Sequence, residues 1–194
     1  MIEAIQEADQ QWFLWLNSFH TPSLDILMSW VTNKYTWIPF YVLLGVSLIY
    51  KFGWEGVRMC LLIGLVIAFC DQLTSGFMKP FFERLRPCHN PDLESVIYLV
   101  EGCGGKYGFA SSHAANAFGL ATVCWLLLRH WSTYFAWGFL WATVVSYSRI
   151  YMGVHYPLDV IVGAVIGIMG AILLYLLYRK FMPYLIQKLP QAYP

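Results

Sequence analysis

Five long apolar runs decide most of what this chain can become. They occupy about residues 35–52, 56–78, 109–128, 132–150 and 157–178, separated by short polar or glycine-containing breaks. Each approaches the roughly 20 residues that an α-helix needs to cross the hydrocarbon of a bilayer. One soluble core cannot hide five such helices in a chain of 194 residues. Charge is correspondingly scarce, 12% of residues against roughly 25% in ordinary soluble proteins. That balance excludes a disordered chain, a nucleic-acid binder and a normal soluble domain. The net charge of +1 points to no acidic partner. The nine Trp and thirteen Tyr suit the aromatic belts at the two bilayer surfaces. The expected fold is all-α, an integral membrane helical bundle of about five transmembrane helices plus N-terminal interfacial helices.

No repeat or linker divides the sequence, so we read residues 1–194 as a single domain. Residues 1–33 mix apolar positions (Phe13, Leu14, Leu16, Leu24, Ile26, Leu27, Trp30) with Asn17, His20, Pro22 and Asp25. That pattern predicts two short helices lying at the membrane interface rather than a span. The first eleven residues carry three acids and no Lys or Arg, unlike a cleavable signal peptide. Residues 35–178 form the transmembrane core and 179–194 a basic tail. Within the core, residues 79–108 are a long polar loop.

If the runs alternate direction, loop 79–108, the start of the third run and connection 151–156 share one membrane face. The turns at 51–56 and 129–131 share the other with the tail. Lys and Arg are evenly divided between the faces. When Lys79, Arg86 and Arg149 are set aside as ligands for an anion, the tail face leads. The positive-inside rule then makes the tail cytoplasmic and puts the loop face in the periplasm or exterior.

Three polar clusters converge on that loop face. One runs from Lys79 to Arg86-Pro87, the second is Ala110-Ser111-Ser112-His113, and the third links Ser148-Arg149 to His155 and Asp159. Ionisable groups at membrane depth are costly and mark a site by default. Three cations without matching acids repel one another unless an anion lies between them. Arg forks and a Lys ammonium fit a tetrahedral oxyanion, and Ser111 and Ser112 fall where a helix N-terminus favours one. Asp159 follows His155 by four residues, one helical turn, so it can fix the imidazole tautomer and free the other nitrogen for attack. His113 can protonate a leaving oxygen. Taken singly, Lys79 and Arg86 read as snorkelling side chains, the serines as caps and the histidines as interface hydrogen-bonders. The joint spacing favours a metal-independent phosphoryl-transfer site without a cofactor.

These clusters resemble the three signatures of the type 2 phosphatidic acid phosphatase family, the lipid-phosphate branch of the acid phosphatase and vanadium haloperoxidase superfamily. Its first signature is Lys, six residues, Arg-Pro, as in Lys79 to Arg86-Pro87. Its third, Ser-Arg, five residues, His, three residues, Asp, is complete from Ser148 to Asp159. Its second, Pro-Ser-Gly-His, departs here, with Ala110 for Pro and Ser112 for Gly. The Ser112 side chain needs room and either narrows the pocket or adds a hydroxyl contact. The family's extra N-terminal span is replaced by segment 1–33. The resemblance implies that His155 is the nucleophile, Asp159 its orienting acid and His113 the general acid. It implies that Lys79, Arg86, Ser111, Ser112 and Arg149 hold the phosphate. The implied activity is metal-independent hydrolysis of a phosphomonoester or diphosphate on a bacterial membrane lipid. Candidates are undecaprenyl diphosphate, lipid A phosphate, phosphatidylglycerol phosphate and phosphatidate. A lipid-to-lipid phosphotransferase and a non-catalytic lipid-phosphate carrier are the alternatives.

Other polar residues have blander readings. Asp71 either balances the cations or bonds Gln72. Glu83 and Arg84 read as a solvated loop pair. His20, His89 and His130 read as ordinary surface histidines. Cys88 and Cys103 share the polar loop, where a disulfide or two free thiols are equally compatible with the sequence.

Overall fold

Every helix begins or ends where the local chemistry dictates. The computed structural model describes residues 2–188, with side chains for 3–181. Helix α1 is Ile2–Asn17 and α2 is Pro22–Thr32, the latter capped by the Thr21 side chain with Pro22 in its first turn. Pro suits that position because its missing N–H has no helical partner there. A 3₁₀ turn, Lys34–Trp37, leads into α3 (Ile38–Phe52), which ends at Gly53 with φ of 57°. Helix α4 is Trp54–Asp71. It passes through a π-helical segment, Gln72–Met78, into α5 (Lys79–Phe82), and the rod stops at Glu83 in the left-handed region. Loop 83–111 follows. Then come α6 (Ser112–Leu128), a 3₁₀ turn Thr133–Ala136, α7 (Trp137–Tyr151), connection 152–156 and α8 (Pro157–Lys188).

Helix α6 is the axis of the bundle, with most of its residues buried. Its closest partner is α8, and glycine makes that approach possible. A Cβ at Gly163 would lie 2.4 Å from the Ser111 carbonyl oxygen, and one at Gly167 would lie 2.2 Å from that of Ala115. This is the small-xxx-small solution by which helices pack in lipid, where apolar burial alone does not drive them together. Val66, Cys70, Ala115, Val123 and Ala171 fill the adjoining core between α4, α6 and α8. Large apolar side chains such as Leu43, Leu61 and Met169 face outward, a surface suited to lipid rather than water.

The expected interfacial segment forms two helices, and α1 is tied firmly to the bundle. Phe13 is fully buried, and the Asn17 amide donates to the carbonyls of Tyr98 (3.0 Å) and Tyr151 (2.9 Å). Among the described residues, three helical stretches are long and apolar enough to cross a membrane: Lys34–Phe52, Trp54–Phe82 and Pro157–Phe181. The expectation of about five spans is therefore met in length by three. Helix α6 is apolar but has 17 residues and α7 has 15, because loop 83–111 and the turn 133–136 take residues the sequence lent to the runs. Helix α8 continues through Lys188, so most of the expected tail is helical. Residues 189–194 of that tail lie outside the described residues.

Candidate active site

The loop end of the bundle holds a cavity of about 730 Å³. Lys79, Arg86, Ser112, His113, Arg149 and His155 line its polar end. From there it descends between α3, α4, α6 and α7 past Leu44, Leu48, Cys60 and Leu120. The cations are thus gathered at one end, and the rest of the lining is mostly apolar, with Asp71, Ser75 and Asn116 among it.

Each cation is aimed by a different element. The π segment precedes Lys79, and such widened turns often re-aim side chains at functional sites. Lys79 Nζ donates to Ser112 Oγ at 2.8 Å and to Ser75 Oγ at 3.2 Å, while Thr74 Oγ1 lies 2.9 Å from the same Ser112 oxygen. The extra hydroxyl of Ser112 is therefore an acceptor that fixes the ammonium. Arg86 is steered from the loop, donating from Nε to Tyr107 O and from Nη1 to Cys103 O, both at 3.2 Å. Cys103 is itself held by a disulfide to Cys88, with Cα atoms 5.8 Å apart. Arg149, near the end of α7, donates to Thr32 Oγ1 at 2.5 Å, and its buried Nε has no partner. Among the described residues none of these three cations forms an ion pair with a carboxylate. Their free donors and uncompensated charge are what an anion in the cavity would satisfy.

His155 is almost wholly buried, and its Nδ1 lies 3.3 Å from Asp159 Oδ2. A carboxylate only accepts, so Nδ1 carries the proton and Nε2 keeps its lone pair. Burial pushes His155 well below the ordinary value of 6.5, and Arg86, Arg149, Lys79 and Arg84 push the same way. The ring is neutral at pH 7. Asp159 also accepts the Tyr156 N–H at 3.1 Å. His113, in the first turn of α6, lines the same cavity.

Ser111 behaves differently from the other residues expected to hold phosphate. It is fully buried, caps α6 through its side chain, and is not on the cavity wall. Its N–H donates to the Asp159 carbonyl at 2.9 Å, which ties the starts of α6 and α8. Asp71 faces the cavity. Arg84 corrects the sequence reading most clearly. It forms no pair with Glu83, whose left-handed turn ends the rod. It bridges two buried carboxylates instead, Asp159 at 2.7 Å and Asp9 at 2.6 Å. The available signal was Asp9 itself, an acid one turn before Phe13 on the buried face of α1. Gly108 was also missed: it lies against the pair, where a Cβ would be 3.0 Å from Asp159 Oδ2 and 3.5 Å from His155 Nδ1. Among the described residues, no three His, Cys, Asp or Glu side chains are grouped to hold a metal ion.

Residues 55–183, which carry all three clusters, match the PAP2 superfamily. The chain belongs to that superfamily. A PAP2 relative, the lipid A 4'-phosphatase of Bacteroides thetaiotaomicron, is 41% identical over 187 residues, covering 93% of this chain and 81% of that protein. The lipid A 4'-phosphatase of Porphyromonas gingivalis is 36% identical, covering 91% and 75%. Among solved structures, Aquifex aeolicus LpxE superposes with a TM-score of 0.67 at 29% identity, covering 86% of this chain and 93% of that one. The membership accounts for the order of the three clusters along the helices.

Proposed function

We propose that the protein is a membrane lipid phosphatase that hydrolyses a phosphate ester of a bacterial lipid, with a lipid A phosphate as its preferred substrate. The observation that carries this reading is the pairing of three cations that lack a carboxylate partner with a buried His–Asp dyad at the head of one mostly apolar cavity. A lipid phosphate has that same division, a doubly charged head on an apolar body. The names of the two relatives favour lipid A among the candidates.

In the proposed reaction the phosphoryl oxygens are held by Lys79, Arg86, Arg149 and Ser112. Donors fixed before the reaction stabilise charge without reorganising as it develops. His155 Nε2 attacks phosphorus, and the bond to the lipid oxygen breaks. His113 gives that oxygen a proton, and Asp159 balances the charge left on the phosphorylated imidazole. His113, now basic, takes a proton from water, whose oxygen attacks phosphorus and frees His155 and inorganic phosphate. Ser111 supports the cradle by fixing the start of α6.

The disulfide beside Arg86 favours an oxidising compartment for this face. With the cation distribution, that supports a bacterial inner-membrane protein whose site faces the periplasm or exterior. The test is phosphate release by purified protein in detergent with EDTA present, across lipid A, undecaprenyl diphosphate, phosphatidylglycerol phosphate and phosphatidate. The reading expects release from lipid A above the others and no effect of EDTA. Transfer of label to an acceptor lipid instead of free phosphate would reassign the protein as a phosphotransferase. Binding without turnover of any lipid would make it a carrier.

A further inference from the structure

We infer that Arg84 and Asp9 are positioning residues for the nucleophile, joining the N-terminal helix to His155 through Asp159. The inference rests on the phosphatase reading above. Its geometry is a continuous chain of contacts. His155 Nδ1 faces Asp159 Oδ2 at 3.3 Å, and Arg84 Nη1 donates to Asp159 Oδ1 at 2.7 Å. Arg84 Nη2 donates to Asp9 Oδ2 at 2.6 Å, and Asp9 Oδ1 accepts the Leu158 N–H at 2.9 Å. The Arg84 guanidinium also lies over the Tyr156 ring, 4.3 Å from its centre, and the Tyr156 N–H bonds back to Asp159.

Both carboxylate side chains are fully buried, whereas Arg84 is a fifth exposed. Two buried acids without a cation between them would repel each other and leave buried charge unpaired, which is strongly unfavourable. One guanidinium spans both with separate nitrogens, a task its planar fork suits and a Lys ammonium cannot duplicate. Asp159 is thereby held on both oxygens. Its orientation toward His155 is set by Arg84 on one side and the Tyr156 N–H on the other. Asp9 in turn fixes Arg84 and caps the first turn of α8, the turn that carries Asp159. Helix α1 thus helps build the site although it supplies no group to the cavity wall.

Neither Arg84 nor Asp9 lines the cavity. Positioning therefore predicts a loss in kcat with little change in substrate binding, and this separates it from a phosphate-binding role. A merely structural ion pair predicts something else again, a lower yield and melting temperature with native turnover per folded molecule. The decisive comparison uses the full-length protein in detergent, native against Arg84→Gln, Arg84→Lys and Asp9→Asn. Active molecules are counted from the phosphoenzyme burst, and folding is followed by circular dichroism. Inorganic phosphate serves as a competitive inhibitor to read the cradle.

Arg84→Gln is expected to lower kcat per active site on the order of tenfold to a hundredfold, the effect of a small misplacement of a reacting group. KM and the inhibition constant for phosphate are expected to stay within about twofold, since P–O contacts are untouched. Arg84→Lys should recover part of the loss, and Asp9→Asn should show a smaller loss of the same kind. Should Arg84→Gln fail to fold, the Lys and Asn variants carry the comparison. Native kcat per active site in the variants that fold overturns the inference, as does a rise in KM and the phosphate inhibition constant in place of a fall in kcat. Absence of phosphate release by the native protein would instead remove the phosphatase reading itself.

Discussion

Adding one methyl group beside the dyad is a sharp perturbation of this site, and Gly108→Ala does so without touching any ionisable residue. Gly108 does not require a positive φ, so Ala brings no backbone strain there. Its Cβ would lie 3.0 Å from Asp159 Oδ2 and 3.2 Å from Arg86 Cγ, with His155 Nδ1 at 3.5 Å. Ordinary contact begins at 3.4 Å, so the carboxylate must retreat by about 0.4 Å while the imidazole need not move. The His155–Asp159 contact is already 3.3 Å, at the long end for a hydrogen bond. Such a retreat breaks it. Overpacking of this kind costs about 1–3 kcal/mol, and loss of orientation at a reacting group costs up to about a hundredfold in rate. We therefore expect kcat of Gly108→Ala to fall tenfold to a hundredfold while the melting temperature drops by only a few degrees. The assay is phosphate release per active site beside a thermal melt in the same detergent. Native kcat in a folded Gly108→Ala protein would refute the reasoning, because the methyl's nearest neighbour is the carboxylate that orients His155.

Other perturbations follow from the same structure. Replacing Cys88 and Cys103 together by Ser should cost about 3 kcal/mol for a loop of this length and raise KM, because the Cys103 carbonyl orients Arg86; a melt and a substrate titration read the two effects. Gly167→Leu should separate α6 from α8, since even a Cβ would lie 2.2 Å from the Ala115 carbonyl oxygen, and lost melting cooperativity with lost turnover is the expected result. His155 protonates near 6.5 when unfolded but only well below that when folded. The unfolded chain thus binds more protons at this residue in that window, and its contribution to stability should fall as pH drops below 6.5, by up to about 1.4 kcal/mol per pH unit. His155→Gln should make that dependence shallower in melts taken between pH 7 and pH 5.

The legibility of this protein in its sequence followed the range of the interactions involved. The apolar runs announced α3, α4, α6, α7 and α8 because lipid burial is a property of consecutive residues, whereas the short α5 fell in residues 79–82, which read as the start of the polar loop. His155–Asp159 was visible because its spacing encodes a helical turn, and the cavity cations because charge is rare in so apolar a chain. Arg84 was misread because its neighbour Glu83 looked like a partner, whereas its carboxylates lie 75 residues away on either side. Ser111 and Ser112 are adjacent and chemically alike, yet a single helical step sends one into the cap and the other to Lys79. The π segment left no mark in periodicity, since one widened turn shifts only a few residues. Run lengths overstated α6 and α7 because the apolar stretch extends past the helix into the turns.

The most direct measurement traps the enzyme during turnover of a lipid substrate carrying a radiolabelled phosphate and asks where the label resides. The account predicts a covalent label that is stable in alkali, lost in acid, and absent from a folded His155→Ala protein. An acid-stable label, or one that persists in His155→Ala, would contradict it.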